Sequence, residues 1–161
     1  MQPQWLQRKL IEPKELEEVV AQLRRQHLTI ATLNGSFDLL HAGHLFIIHE
    51  ASKQADRLIV ALNSDQSIQK YKSPNRPIIP LSYRLEMMAA LEFVDYVTWF
   101  DEIDPIQLLS CIKPDVHVNG AEYGHQCIEA QTVQAHGGRL HLVDRIPSLA
   151  TTAIIDKIRT L

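Results

Sequence analysis

The chain has 161 residues, of which 45% are hydrophobic and 22% charged. This composition excludes a disordered chain, a coiled coil and a collagen-like repeat, and the length argues for one domain with a core of its own. Sixteen Lys+Arg against 19 Asp+Glu leave a net charge of −3, so there is no basic excess to hold a long nucleic acid. From the N-terminus, Leu16, Val19, Val20 and Leu23 recur at helical spacing behind Pro13, which suits a first turn. The spacing predicts a helical extension over residues 1–27 and a main domain over 28–161. Leu28–Leu33 reads as a strand, Leu45–Lys53 as a helix and Leu58–Leu62 as a strand. Leu81–Leu91 reads as a helix and Tyr96–Phe100 as a strand. Asp104-Pro105 is an N-cap and N1 pair opening a helix to Ile112. Val116–Val118 is a strand, Cys127–His136 a helix closed by Gly137-Gly138, Leu140–Val143 a strand and Thr151–Ile158 the last helix. Alternating strands and helices imply right-handed crossovers and a single α/β, doubly wound parallel sheet.

Targeting and redox signals are sparse. No apolar run approaches the ~18 residues of a membrane span. The polar stretch Met1–Arg8 lacks the apolar core of a signal peptide. Cys111 and Cys127 fit no metal-ligand spacing and read as reduced, buried thiols. A cytoplasmic protein is expected, without a membrane partner.

In doubly wound sheets the chemistry sits beyond the C-terminal ends of the strands. The loop after the first strand reads Asn34-Gly35-Ser36-Phe37-Asp38-Leu39-Leu40-His41-Ala42-Gly43-His44. Two histidines three apart, where a helix should begin, share one face of its first turn. A helix start offers free N–H groups and partial positive charge, which suits a phosphate. Gly43 removes a side chain where a nucleotide would approach the backbone. Two other readings fit the same residues: buried structural histidines, or a zinc site recruiting Asp38 and His49.

Phe37-Asp38-Leu39-Leu40-His41-Ala42-Gly43-His44 resembles the signature of the cytidylyltransferase-like nucleotidyltransferases, and its H-x-G-H is akin to that of class I aminoacyl-tRNA synthetases. The length leaves no room for the tRNA-binding domain of a synthetase. The resemblance runs over Asn34–Leu161. It is carried by Asp56–Asp65, by Lys72-Ser73-Pro74-Asn75-Arg76-Pro77 with Pro80-Leu81 and Arg84, and by Ala89–Glu92 with Val94-Asp95. Phe100-Asp101-Glu102, Asp104-Pro105, Pro114-Asp115-Val116 and Thr151-Thr152 continue it. These stretches are most similar to the heptose 1-phosphate adenylyltransferase branch. The resemblance implies a Rossmann-like fold and transfer of AMP from ATP to a sugar phosphate, with Mg²⁺ accompanying the triphosphate. It also implies a place in ADP-heptose and lipopolysaccharide synthesis. Homodimers are common in the family.

The same resemblance assigns roles. His41, His44, Lys72 and Arg84 would be catalytic, with the histidines on the triphosphate, Lys72 at the α-phosphate or incoming phosphate and Arg84 on the β- and γ-phosphates. Gly35, Ser36, Phe37, Asp38, Gly43, Asn119, Gly120, Glu122, Ala150, Thr151 and Thr152 would bind the nucleotide, with Asp38 orienting its loop. No residue is assigned as a metal ligand. Lys70 has a counterpart in the glycerol 3-phosphate branch, whereas heptose enzymes usually place a lysine where Gln69 stands.

Some positions depart from the heptose pattern. Asn119 stands where a lysine is usual, Glu122 where an aspartate is, and Ser148 and Ala150 replace the usual glycine and serine of the last-helix motif. Arg145 matches an arginine of glycerol-3-phosphate cytidylyltransferases. The alternative is therefore a CTP-dependent enzyme acting on glycerol 3-phosphate or a similar small phosphate. A catalytically weak nucleotide-binding regulator is a second alternative.

Overall fold

The computed structural model describes residues 3–144 and 150–161. Five strands form one parallel sheet: β1 (Ile30–Gly35), β2 (Arg57–Asn63), β3 (Tyr96–Phe100), β4 (Val116–Gly120) and β5 (Arg139–Val143), in the order β3-β2-β1-β4-β5. The order reverses between β1 and β4, so their C-terminal ends flank the topological switch point where such sheets bind ligands. The expected doubly wound α/β fold is the one found.

The helices are α1 (Gln4–Lys9), α2 (Leu16–Arg25), α3 (Ala42–Ser52), α4 (Asp65–Tyr71), α5 (Leu81–Ala89), α6 (Ile106–Ile112), α7 (Ile128–Ala135) and α8 (Thr151–Arg159). The near-continuous apolar run of β2 is buried on both faces, as a central parallel strand requires. Leu58, Val60 and Leu62 join Ile48 of α3 and Leu85 and Met88 of α5 in one core. Ile59 and Ala61 alternate to the other face and meet Leu16, Val20 and Leu23 of α2 and Leu108 and Ile112 of α6. Among the described residues no helix is long and apolar enough to cross a membrane.

Three aspartates that carry part of the resemblance set strand register, at the end of the sheet away from the switch point. Asp56 accepts from the Thr29 N–H (2.8 Å), Asp95 from the Leu58 N–H (2.8 Å) and Asp115 from the Ile30 N–H (2.7 Å). Asp115 also receives Arg24 of α2 at 2.5 Å. The N-terminal segment runs along the β3 edge. Leu10 bridges Val97 and the Ile11 N–H donates to the Val97 carbonyl at 2.9 Å, which covers an otherwise open strand edge.

Several elements differ from the sequence reading; β1, for one, runs Ile30–Gly35 where Leu28–Leu33 is expected. α1 is an unpredicted single turn and a half with one buried residue, Leu6, too short for periodicity to register. α4 is absent from the elements read in the sequence; the Ser64 hydroxyl caps it by accepting from the Ser67 N–H at 3.1 Å. α3 starts at Ala42 rather than Leu45, with His41 as its N-cap. α6 starts at Ile106 with Pro105 as the capping residue, and Asp104 accepts from the Ile106 N–H at 3.0 Å from one position further out. At the end of α7, Gly137 has φ +82°, and a Cβ on Gly138 would collide with the Pro114 carbonyl, so both glycines are required there.

Candidate active site

β1 delivers the chain to the switch point, and the loop that follows is held by one carboxylate. Phe37 and Leu39 have φ of 47° and 52°, a left-handed backbone that non-glycine residues adopt only when their surroundings impose it. Between them Asp38 is 1% exposed. Its carboxylate accepts from the Ile78 N–H (2.8 Å), the Ile79 N–H (2.9 Å), and Arg76 Nε (3.0 Å) and Nη2 (2.8 Å). Burial pushes this carboxyl up, but the two amides and the Arg76 guanidinium together outweigh burial and leave it below the ordinary carboxylate value. Asp38 thus fastens the signature loop to the 76–79 loop; its carboxylate is buried and does not line the cleft, so the expected nucleotide contact is corrected to a support of the loop.

The histidine pair follows. His41 caps α3, its Nδ1 accepting from the His44 N–H at 3.4 Å. The two imidazoles stack with centroids 3.8 Å apart and planes 20° apart, and Phe37 meets His44 edge-on at 5.3 Å. With Nδ1 as acceptor, the neutral His41 ring carries its proton on Nε2. The start of α3 therefore offers backbone N–H groups and an imidazole donor together, an arrangement made for an anion. Asp38 is turned to Arg76, and His49 lies against Glu50 and Phe93. The zinc alternative is not assembled, and among the described residues no group of three or more His, Cys, Asp or Glu could hold a metal ion.

Lys72, at the end of α4, reaches the same loop: Nζ donates to the Ser36 hydroxyl at 3.1 Å and lies 5.6 Å from the Tyr71 ring centre. Burial lowers its pKa, and the Arg76 charge lowers it further. Lys70 instead donates to the Asp101 carbonyl at 3.3 Å.

A cleft of about 250 Å³ opens over the switch point. His41, His44, Lys72, Gly35, Ser36, Phe37 and Gly43 line one side; Asn119, Gly120, Glu122, Ala150, Thr151 and Thr152 line the other. The Thr151 hydroxyl donates to the Asp38 carbonyl at 3.0 Å, tying α8 to the signature loop. The expectations placed on Arg145 and Ser148 fall outside the described residues.

Arg84 requires a correction. It does not line the cleft, and its side chain is 1% exposed. Nε donates to the Ile79 carbonyl (2.9 Å), Nη1 to the Ser36 (2.6 Å) and Asn63 (2.9 Å) carbonyls, and Nη2 to Asp65 (2.7 Å). With its donors committed to carbonyls of three separate segments, it joins those segments and does not reach toward a phosphate. Sequence reasoning also misses parts of the site. Arg76 enters it only through the resemblance, because nothing local pairs it with Asp38, 38 positions away. Leu33, Ile47, Tyr123 and Val143 give the cleft apolar walls; the only sequence signal for Leu33, Tyr123 and Val143 is position near strand ends, and Ile47 lies on α3, one turn beyond the histidines.

A parallel doubly wound sheet with helix starts, imidazoles and an ammonium converging on a cleft at the switch point defines a nucleotide-binding α/β domain. The model of the cytidylyltransferase-like family matches residues 32–160, and the chain belongs to that family of nucleotidyltransferases. Among curated proteins, it is 40% identical over 147 residues to the Bifunctional protein HldE of Hahella chejuensis, spanning 91% of this chain and 31% of that protein. It is 44% identical over 137 residues to the protein of the same name from Alcanivorax borkumensis, spanning 84% and 29%. The chain therefore spans about a third of the length of these relatives. Among solved structures, it resembles the lipopolysaccharide core biosynthesis protein from Thermoplasma volcanium GSS1 (25% identity, TM-score 0.59, 74% of this chain and 97% of that one). The pantoate-beta-alanine ligase of Francisella tularensis shares the fold at 19% identity and TM-score 0.66, over 95% of this chain and 78% of that one.

Proposed function

We propose that this chain transfers AMP from ATP to heptose 1-phosphate with release of pyrophosphate, making ADP-heptose for lipopolysaccharide synthesis. The observation that carries the reading is the stacked His41–His44 pair at the start of α3, facing the same cleft as Lys72 and Thr152. Similarity to the bifunctional HldE proteins and to the lipopolysaccharide core biosynthesis protein of Thermoplasma volcanium supports this choice of donor and acceptor, as does the resemblance to the heptose branch. Residues 28–161 would form the transferring domain and residues 1–27 an extension packed on it.

The chemistry suits these side chains. An oxygen of the acceptor phosphate attacks the α-phosphorus, the bond from that phosphorus to the bridging oxygen breaks, and pyrophosphate leaves with the electron pair. The nucleophile is already an anion, so no general base is needed. The difficulty is bringing anions together and stabilising the charge that builds on the α- and β-phosphates, a task for preorganised donors. His41 and His44 with the α3 N–H groups would hold the α- and β-phosphates. Lys72 would neutralise the acceptor phosphate as it meets the α-phosphate. The Thr151 hydroxyl is engaged by the Asp38 carbonyl, so α8 would contribute Thr152 and backbone N–H groups. Mg²⁺, bound mainly by phosphate oxygens and water, would supply further charge neutralisation on the triphosphate.

The test is pyrophosphate release with Mg²⁺, crossing ATP and CTP against heptose 1-phosphate and glycerol 3-phosphate. Turnover with ATP and heptose 1-phosphate alone is expected. Turnover with CTP, or with glycerol 3-phosphate, would overturn the choice of donor or acceptor and turn Asn119 and Arg145 into specificity positions. Silence in all four combinations would overturn the transfer to heptose 1-phosphate.

A further inference from the structure

A group of polar side chains on one face of the sheet is not used by the transfer chemistry. Asn34, on β1, lines the cleft, yet its buried Oδ1 has no hydrogen-bond partner among the described residues. A buried acceptor left in that state is costly unless something donates to it. The β1–β4 register pairs Leu33 with Val118, so the next step along the ladder sets Asn34 beside Asn119, with both side chains on the same face.

Behind Asn119 stands Glu129, on the first turn of α7. Asn119 is 6% and Glu129 7% exposed, and Asn119 Nδ2 donates to Glu129 Oε2 across a long 3.4 Å. The Cys127 thiol also contacts both. Among the described residues no Lys or Arg pairs with this carboxylate; the start of α7 offsets part of its charge instead. A carboxylate only accepts, so it takes the amide NH₂ of Asn119 and leaves Oδ1 for the cleft. Two amide side chains then stand at adjacent strand ends, and the Asn34 oxygen there calls for a donor. An ionised triphosphate has no donors to offer; a nucleoside does.

We propose that Asn34 and Asn119, the latter oriented by Glu129, read the nucleoside of the bound triphosphate by accepting hydrogen bonds from it. This rests on the nucleotide-binding reading of the cleft given above. The donors come from the ribose hydroxyls or from the exocyclic amino group of the base. Glu129 is a positioning residue, acting through Asn119.

The experiment is calorimetric binding of ATP and of inorganic tripolyphosphate, each with Mg²⁺, to the wild type, Asn34→Ala and Asn119→Ala. Each substitution should raise the Kd for ATP about five- to tenfold, the scale of one lost hydrogen bond, and leave tripolyphosphate binding unchanged. Glu129→Ala should raise the KM for ATP by more than it lowers kcat, and Glu129→Gln, which can still accept from Asn119, should recover most of the loss. 2′-DeoxyATP and 3′-deoxyATP each remove one hydroxyl donor, and purine riboside triphosphate removes the exocyclic amino group. The analogue lacking the donor that is read should bind wild type more weakly and lose nothing further in the matching alanine variant. Equal losses for ATP and tripolyphosphate would make the amides structural and overturn the inference, as would unchanged ATP binding in both variants. A wild type that binds neither ATP nor tripolyphosphate would overturn the nucleotide reading itself.

Discussion

His117 sits in the middle of the sheet, and its burial predicts a loss of stability with acid in a defined pH window. The residue is 0% exposed on β4; its Nδ1 meets the Thr32 hydroxyl at 2.8 Å, and Nε2 has no partner among the described residues. Burial alone pushes its pKa down to about 4 from an ordinary 6.5. In the unfolded chain the ring takes a proton as pH falls through 6.5; in the folded chain it stays neutral until about 4. Stability from the neutral ring is therefore complete above pH 6.5, declines between 6.5 and 4, and changes little below. The full difference corresponds to about 3 kcal/mol, with most of it lost by about pH 4.5. Asp38 acts in a separate range. Its carboxyl is depressed in the fold, so its contribution is present above the unfolded value of 3.8 and is lost below it. Urea unfolding followed by far-UV circular dichroism, at about pH 7.5 and about pH 4.5, separates the two. Wild type should lose about 2–3 kcal/mol more between these values than His117→Gln, which keeps a partner for Thr32 and cannot titrate. Equal losses in both proteins would refute the reasoning.

His41→Ala and His44→Ala should each lower kcat about 100-fold or more, the scale of one donor removed from a developing charge, while His41→Ala, which also loses the cap of α3, should cost only about 1 kcal/mol of stability; wild-type turnover in both would remove the histidines from the chemistry. Lys72→Ala should lower kcat/KM for the sugar phosphate. Because burial lowers the Lys72 pKa, the wild-type rate should begin to fall on the alkaline side below the ordinary lysine value, and Lys72→Arg should move that limb upward; an unmoved limb would assign the titration elsewhere. Arg84→Ala should cost roughly 3–5 kcal/mol, since it strands the Ile79, Ser36 and Asn63 carbonyls and breaks the pair with Asp65. Thermal unfolding checks this, and an unchanged melting temperature with abolished turnover would restore a direct phosphate role.

The parts of the fold that the sequence discloses are those written in local periodicity. β1 and β2 are short apolar runs bounded by polar residues, and α5 and α7 repeat at helical spacing, so their types and order can be read. α4 cannot, because Asp65–Tyr71 buries only Ser67 and Ile68 and leaves no stripe. The histidine pair is legible because both residues lie within one helical turn. Arg84 misleads for the opposite reason: a charge on a helix start looks available for a phosphate, and only the fold brings the carbonyls of Ser36 and Asn63 to it from 48 and 21 positions away. Asn34 passes without remark because an unsatisfied amide is a property of surroundings, invisible in a residue type.

Asp38 and Arg84 are charged residues of the signature stretches, and the structure uses both to build the site from behind. In the proposed transfer every reacting group is an anion, so the gain comes from donors already aimed before substrate arrives, and any freedom in their loops reduces it. The loop that leads from β1 to His41 and His44 carries two left-handed residues that would relax without support. Asp38 anchors its middle to the 76–79 loop through Arg76 and two amides, Arg84 anchors its start at the Ser36 carbonyl, and Thr151 closes α8 onto it at the Asp38 carbonyl. The same Ser36 receives Lys72 on its hydroxyl. The histidines, the lysine and the last helix are thus referred to one short stretch, Asn34–His41. Buried charges placed there cost stability on their own account, and the return is a set of donors whose positions are fixed relative to one another across three otherwise independent loops.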